Sequence, residues 1–427
     1  MTTAIVTLHD MAFGGDAVGR LDDGRVVFVP LAIPGETVRI QIVEERKGYA
    51  RARLLEVPEP SPDRVEPPCR FFGLCGGCRW QHIAYPAQLR FKTEIVRAQL
   101  ERIGRQVDPP VSPMLGMEVP WAYRNHVRLQ VDGRGRVGYH ALRSHDVVPV
   151  DECRITHELL NELWDALDVE FEGLRRIALR AGIATGEQMV IFEGDDPELP
   201  ELEVDMPISC LYQVSSGVAD VEADSAPVEG LVVLAGESVI HERLLERTFR
   251  ISGPSFFQTN TLQAEQLVRV VGEFLALRPG EALLDVYCGV GTFALSLGAE
   301  AGRLMGIEGS PWAIEDAVAN AEAMDLDAEL IEGDVAEALT GMADEGEDIS
   351  FDAVVMDPPR AGCTPETLRA LAHTGASRIV YVSCDLTTLA RDVRILSDLG
   401  YALRAVRPVD MFPQTGHVET VCLISKK

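Results

Sequence analysis

Between Ala181 and Glu242 the chain has no Lys or Arg at all, against fourteen Asp and Glu. A polyanion has to avoid such a stretch. With a formal net charge of −28 over 427 residues, the composition excludes a general nucleic-acid coat protein, whose affinity for phosphate comes from clustered Lys and Arg. The N-terminus lacks a charged start followed by an apolar core, and no uninterrupted apolar run is long enough to cross a bilayer. A cytoplasmic protein with no membrane partner is therefore expected. Thiols stay reduced in that compartment, so nine cysteines point to metal binding or catalysis rather than to disulfides. The length exceeds what one core supports and predicts two to four domains.

What is present converges on three strand ends. Ile379-Val380-Tyr381-Val382-Ser383 is an apolar, β-branched run that delivers Cys384 and Asp385 at its end. Phe351 to Met356 ends in Asp357-Pro358-Pro359-Arg360, and Leu283-Leu284-Asp285-Val286 ends in Tyr287-Cys288-Gly289-Val290-Gly291-Thr292. From Phe249 strands and helices alternate, which predicts a parallel sheet with crossover helices and its ligands at the carboxyl edge. The glycine loop lacks the third glycine of a dinucleotide fingerprint, which disfavours a pyrophosphate cofactor. Nineteen residues after Gly289, a strand ends in Glu308, where an acid can bind ribose hydroxyls. Asp334 ends another. Acids at successive strand ends, with no phosphate-binding Lys, suit a cationic nucleoside such as S-adenosylmethionine, and Tyr287 is placed either to meet its sulfonium or to pack in the core.

Upstream, short alternating runs separated by Gly14-Gly15, Asp22-Asp23-Gly24 and Pro34-Gly35 predict a small barrel over residues 1–58. Arg46, Lys47, Tyr49, Arg51 and Arg53 on its last strands read equally as an RNA-contacting set or a solvated face. The linker Pro58-Glu59-Pro60-Ser61-Pro62 follows, then Cys69-x5-Cys75-Gly76-Gly77-Cys78. Three cysteines with wrapping glycines predict a metal or cluster loop, with Cys153 the nearest fourth ligand. Iron-sulfur and zinc both accept four thiolates, and the lone Cys153 departs from zinc's usual paired spacing. Ala84 to Ile103 has helical periodicity, and Tyr123 to Arg128 reads as a basic, aromatic strand that either contacts RNA or is simply exposed.

Taken together, these motifs and the late His417-Val418-Glu419-Thr420-Val421 resemble the RNA 5-methyluridine methyltransferases, specifically the iron-sulfur-containing members that act on large-subunit (23S) ribosomal RNA. The resemblance implies an α/β architecture with a Rossmann-like S-adenosylmethionine-dependent methyltransferase domain at 249–427. It further implies an OB-like, TRAM-like RNA-binding barrel at 1–58 and a central α/β iron-sulfur domain at 59–248. It implies that Cys384 is the nucleophile and Glu419 the general base, and that Gln258, Tyr287, Glu308 and Asp357 hold S-adenosylmethionine, with Asp334 on the adenine side. It makes Cys69, Cys75, Cys78 and Cys153 ligands of a [4Fe-4S] cluster, and leaves Cys210, Cys288, Cys363 and Cys422 as buried or incidental thiols. The partner expected is RNA, ribosomal in preference to transfer RNA, and the chain is expected to be a monomer. The rival readings are an adenine amino-group methyltransferase, which needs an aromatic where Arg360 stands, a non-catalytic RNA-binding assembly factor, and a cluster-dependent redox enzyme.

Overall fold

Along the N-terminal strands apolar side chains alternate with polar ones, as a small closed sheet with one dry face requires. In the computed structural model, which describes residues 2–168, 173–195, 199, 203–214 and 230–427, strands β1 (Thr3–Met11), β2 (Ala17–Arg20), β3 (Val26–Val29), β4 (Thr37–Glu45) and β5 (Tyr49–Glu59) close into a barrel in the order β1-β2-β3-β5-β4. Val6, Leu8, Val27, Val29, Val38 and Ile40 fill it. Buried Glu36 accepts from the backbone N–H of Ile33 at 2.9 Å and from Arg64 Nε at 2.5 Å, which ties the linker to the barrel. Helix α1 (Tyr85–Arg102) starts with a proline in its first turn, where no backbone donor is needed.

The central region folds as a seven-stranded sheet. It comprises β6 (His126–Val131), β7 (Val137–His140), β8 (Val147–Pro149), helix α2 (Glu158–Ala166), β9 (Leu174–Ala181), β10 (Gln188–Gly194), β11 (Ser209–Val214) and β12 (Leu231–Ala235), in the order β12-β11-β10-β9-β6-β7-β8. The segment Tyr123 to Arg128 is not the exposed RNA-facing strand that its composition suggests. Tyr123 and Asn125 are buried, and only Arg128 of the six is exposed. The Tyr123 hydroxyl donates to the Pro413 carbonyl at 3.0 Å and Asn125 Nδ2 to the Gln258 carbonyl at 3.0 Å. These polar groups fasten the central region to the C-terminal one.

A hairpin of β13 (Val239–Leu244) and β14 (Arg247–Ser252) leads into helix α3 (Thr261–Leu275). Then come β15 (Ala282–Val286), α4 (Thr292–Leu297), β16 (Arg303–Glu308), α5 (Pro311–Ala323), β17 (Glu329–Glu332), α6 (Val335–Asp344), β18 (Ala353–Met356), α7 (Pro365–His373), β19 (Arg378–Ser383), α8 (Leu386–Asp398), β20 (Tyr401–Val409) and β21 (Glu419–Lys426). The sheet order is β17-β16-β15-β18-β19-β21-β20. The first five strands are parallel; β21 inserts antiparallel to both its neighbours. Strand order reverses between β15 and β18, which opens a crevice at their carboxyl ends. Val354, Val355, Ile379, Val380, Tyr381 and Val382 are all buried, which is why these strands read as unbroken apolar runs. Among the described residues no helix is long and apolar enough to cross a membrane.

Candidate active site

Two elements bring Cys384 and Glu419 together. β19 ends at Ser383, and β21 starts at Glu419 and runs the other way, with Ser383 opposite Thr420. A residue just past the end of one strand therefore stands beside the first residue of its antiparallel neighbour. Cys384 is half-buried and Glu419 buried. Burial, then the negative charge of Glu419 and Asp357, pushes the Cys384 thiol up to about 12, with the Arg360 guanidinium acting the other way. Helix α8 begins two residues on, capped by Asp385 through the backbone N–H groups of Thr387 and Thr388 at 2.8 and 3.0 Å. Its positive end also favours thiolate, but burial and two carboxyls prevail. Burial and Asp357 likewise hold the Glu419 carboxyl well above its usual range, and burial plus Glu308 lifts Asp357 to about 7. The crevice thus holds a neutral thiol and a pair of carboxyls that resist carrying two charges at once.

The loop after β15 turns tightly. Gly291 has φ +87°, and a Cβ there would lie 2.6 Å from a Leu295 methyl, so only glycine fits. Tyr287 is itself left-handed at φ 61°, an uncommon conformation for an aromatic residue. Glu308 accepts from Gly289 N at 2.9 Å and Ser310 N at 2.8 Å, so its carboxylate is fixed at the loop's far side. Pro311 opens α5 directly after the Ser310 cap. Gln258 is buried, with Nε2 3.4 Å from Asp357 Oδ2. Asp334 caps α6, accepting from Ala336 N and Glu337 N at 2.8 and 3.1 Å. Asp285, which sequence reasoning left without a role, is fully buried; Oδ2 accepts from Ala294 N at 2.8 Å and Oδ1 has no partner. Burial, with Asp357 and Glu308 adding negative potential, keeps its carboxyl protonated well above the usual range. A crevice edged by Glu308, Asp334 and Asp357 fits a cationic ligand with hydroxyl donors, which is the chemistry of S-adenosylmethionine.

A second thiol cluster lies in the central region. Cys69, Cys75, Cys78 and Cys153 all line one cavity of about 250 Å³, together with Arg124 and Tyr139. Burial first, then Cys153, drives the Cys78 thiol up to about 12, and Arg124 partly offsets this. Among the described residues no three His, Cys, Asp or Glu side chains stand close enough to hold a single metal ion. One zinc ion would need its thiolates about 2.3 Å from the metal and hence within roughly 4 Å of each other. The four thiols share a cavity but, among the described residues, are not arranged as a ligand set for one metal ion.

The sequence from 237 to 427 matches the family model described as tRNA (Uracil-5-)-methyltransferase, and residues 2–55 match the TRAM domain. The chain is 37% identical, over 99% of its length and 96% of the relative's, to an uncharacterized RNA methyltransferase of Halalkalibacterium halodurans. The chain belongs to the RNA (uracil-5-)-methyltransferase family. Its reaction is therefore S-adenosylmethionine-dependent methylation of a uracil in RNA. A similar relative from Clostridium acetobutylicum, also described as an uncharacterized RNA methyltransferase, is 35% identical over the same shares of both chains. The solved structure of the Pyrococcus abyssi tRNA (uracil-54, C5)-methyltransferase with S-adenosyl-L-homocysteine superposes with a TM-score of 0.77, at 30% identity, covering 99% of this chain and 100% of that one.

Within this methyltransferase, a polar network that sequence reasoning missed supports the loop 410–418, which leads to Glu419. Lys92 of α1 and Asp410 are both fully buried and pair at 2.5 Å. Tyr85 OH donates to Asp410 at 2.9 Å, and Gln88 bonds Gln414 through both ends of its amide. Arg124 lies 5.8 Å over the Phe412 ring. Burial, followed by the cations Arg360, Lys92, Arg124 and Arg79, forces His417 down to about 3, so its imidazole stays neutral. The only advance signal was helical spacing of α1 polar residues with apolar ones, which does not name their partners.

Proposed function

We propose that this methyltransferase modifies carbon 5 of one uridine in large-subunit (23S) ribosomal RNA, with Cys384 as nucleophile and Glu419 as general base. The observation that carries the reading is the antiparallel register that sets the end of β19 against the start of β21, beside Asp357. Carbon 5 of uracil is a weak nucleophile. Addition of the Cys384 thiolate to carbon 6 forms a C–S bond and moves electron density through the enolate to carbon 5. Carbon 5 then takes the methyl group of the co-substrate, whose sulfonium leaves as a neutral thioether. Glu419 removes the carbon 5 proton from the face opposite the methyl, and the C–S bond breaks to return the thiolate. Arg360, which opposes the negative potential at both Cys384 and Glu419, stabilises the enolate oxygen.

Gln258, Tyr287, Glu308, Asp334 and Asp357 hold S-adenosylmethionine in this reading: Glu308 takes the ribose, Asp357 and Tyr287 the sulfonium side, and Asp334 the adenine side. A positive sulfonium beside Asp357 lowers that carboxyl and the Cys384 thiol together, so the thiolate forms as the co-substrate arrives. Cys69, Cys75, Cys78 and Cys153 hold a [4Fe-4S] cluster, which supplies a cross-link between the loop and the strand region and takes no part in the steps above. Anaerobically purified protein is expected to be brown with about four irons per chain; stoichiometric zinc without visible absorption contradicts this.

A transfer-RNA substrate is the second reading, favoured by the full-length similarity to the Pyrococcus abyssi enzyme. Methylation of unmodified total RNA with labelled co-substrate, followed by mapping, decides between them. A methyl on carbon 5 of a ribosomal uridine is expected. Label confined to transfer RNA replaces the substrate assignment, and label on no uridine overturns the function.

A further inference from the structure

Away from the crevice and the cysteine cavity, a cleft of about 530 Å³ opens where the barrel meets helix α1. Its volume lies within the range of roughly 300 to 1,000 Å³ typical of small-molecule sites. Phe13 and Phe28 supply half-buried aromatic surface from the barrel side. Gln99 of α1 and His9 of β1 line the same space, and neither side chain has a hydrogen-bond partner among the described residues. Arg20 and Arg102 stand exposed at its edge. Among the described residues Arg102 is held only by a 3.8 Å approach to Asp10, and Arg20 spends one N–H on the Gly24 carbonyl. In a chain of net charge −28, two arginines against one aspartate mark a local reversal of sign.

The cleft is also connected to the chemistry. Phe13 lies on the β1–β2 loop, whose Gly15 packs so closely on Gly416 that a Cβ at Gly416 would meet the Gly15 Cα at 3.1 Å. Trp80 Nε1 donates to the Gly15 carbonyl at 3.0 Å and holds that loop in place. Gly416 is three residues before Glu419, so the aromatic loop and the loop that presents the base share one contact.

We propose that this cleft binds one unpaired nucleotide of the RNA substrate. Its base stacks against Phe13, its polar edge meets Gln99 and its phosphates meet Arg20 and Arg102, while Phe28, whose ring already meets Arg51 and Tyr49, closes the wall of the cleft. Stacking on aromatic rings tolerates any base because every base has a π-face, and arginines supply the phosphate contacts. The inference rests on the RNA-methylating reading above.

The test is a fluorescence-anisotropy titration of a fluorescein-labelled, unstructured octaribonucleotide into the full chain. Phe13→Ala is expected to weaken binding about five- to fifty-fold, as loss of one stacked base does, while Phe13→Trp keeps the wild-type affinity. Gln99→Ala is expected to weaken it by a smaller factor, and Arg102→Gln to reduce the salt slope by about one unit. Wild-type affinity in both Phe13→Ala and Gln99→Ala overturns the proposal. So does an equal loss by Phe13→Ala and Phe13→Trp, which would make the position a matter of packing. Because the octamer is read without turnover, failure here is separate from failure to methylate uridine.

Discussion

Cys384 and the four cysteines around the central cavity are comparably buried thiols placed in opposite company. Burial raises both Cys384 and Cys78 to about 12, so burial by itself does not distinguish a nucleophile from a ligand. Their neighbours do. Cys384 sits at the end of a strand in a seven-stranded sheet, within electrostatic reach of Glu419, Asp357 and Arg360, groups able to move protons or stabilise an oxyanion. Cys78 faces Cys153 and Cys75 across a cavity, with Arg124 the nearby cation. A thiol among carboxyls can exchange a proton during a reaction, whereas thiols among thiols can share a bound group. In the proposed reading, one class of side chain serves chemistry at a sheet edge and cross-linking on a set of turns.

The sharpest break in that comparison is Cys384→Ala against Cys153→Ser. Cys384→Ala should lower methylation by about 10⁴-fold or more, as loss of a covalent nucleophile does, with melting temperature and co-substrate affinity retained. Cys153→Ser should do the reverse: adduct chemistry persists at low temperature, while urea unfolding shows about 2 to 4 kcal/mol less stability, the scale of removing a long-range cross-link. Between the two sites stands the buried pair Lys92–Asp410, whose removal from one side leaves an uncompensated buried charge. Lys92→Ala should cost about 3 to 5 kcal/mol in denaturant unfolding; a loss under 1 kcal/mol would show that the loop 410–418 is held by something else.

The smallest expected effect concerns protons in the donor crevice. Asp357, raised to about 7 by burial and Glu308, is protonated below that pH and ionised above it. A cationic co-substrate favours the ionised form, so calorimetric affinity for S-adenosylmethionine should rise with pH through 7, by at most about ten-fold per unit below it. Uncharged S-adenosylhomocysteine should show little of this rise. A flat profile for both ligands would remove Asp357 from the sulfonium side. Stability follows with the opposite sense. The Asp357 carboxyl binds its proton more tightly folded than unfolded, so its burial penalty grows from pH 4 to pH 7, and Asp357→Asn should stabilise the fold more at pH 8 than at pH 5.

Much of the catalytic half was legible because parallel strands buried on both faces leave long apolar runs, and the polar residue that ends each run is where the sheet presents its ligands. Cys384, Asp357, Glu308 and Tyr287 were singled out that way, and the structure places each of them at the carboxyl end of a strand. Glu419 was visible only through the family likeness, because the insertion of β21 between β19 and β20 is a topological fact that no local pattern encodes. Asp285 was given no role from the sequence, and its unpartnered oxygen appears only in three dimensions. For the basic set Arg46 to Arg53 the sequence leaves RNA contact and a solvated face equally open, and the structure adds the partners that charge counting does not show. Arg46 pairs with Glu44 at 2.8 Å, and Arg53 bonds Gln41 at 2.7 Å. Arg51 lies 5.9 Å over Phe28. The polar side chains of Tyr123 to Asn125 proved to be fasteners between regions because polarity in a strand does not reveal which face meets another part of the chain.

The central claim is that Cys384 adds first and Glu419 acts last, and the Glu419→Gln variant tests it most directly. The amide keeps the shape and removes the base, so methyl transfer proceeds and elimination slows by roughly 10² to 10⁴-fold. With labelled S-adenosylmethionine and unmodified RNA, a denaturing gel should then show a slow-migrating enzyme–RNA band that carries the methyl label and disappears in the Cys384→Ala, Glu419→Gln double variant. Normal turnover by Glu419→Gln with no adduct, or a labelled adduct that survives the loss of Cys384, would contradict the assignment of both residues.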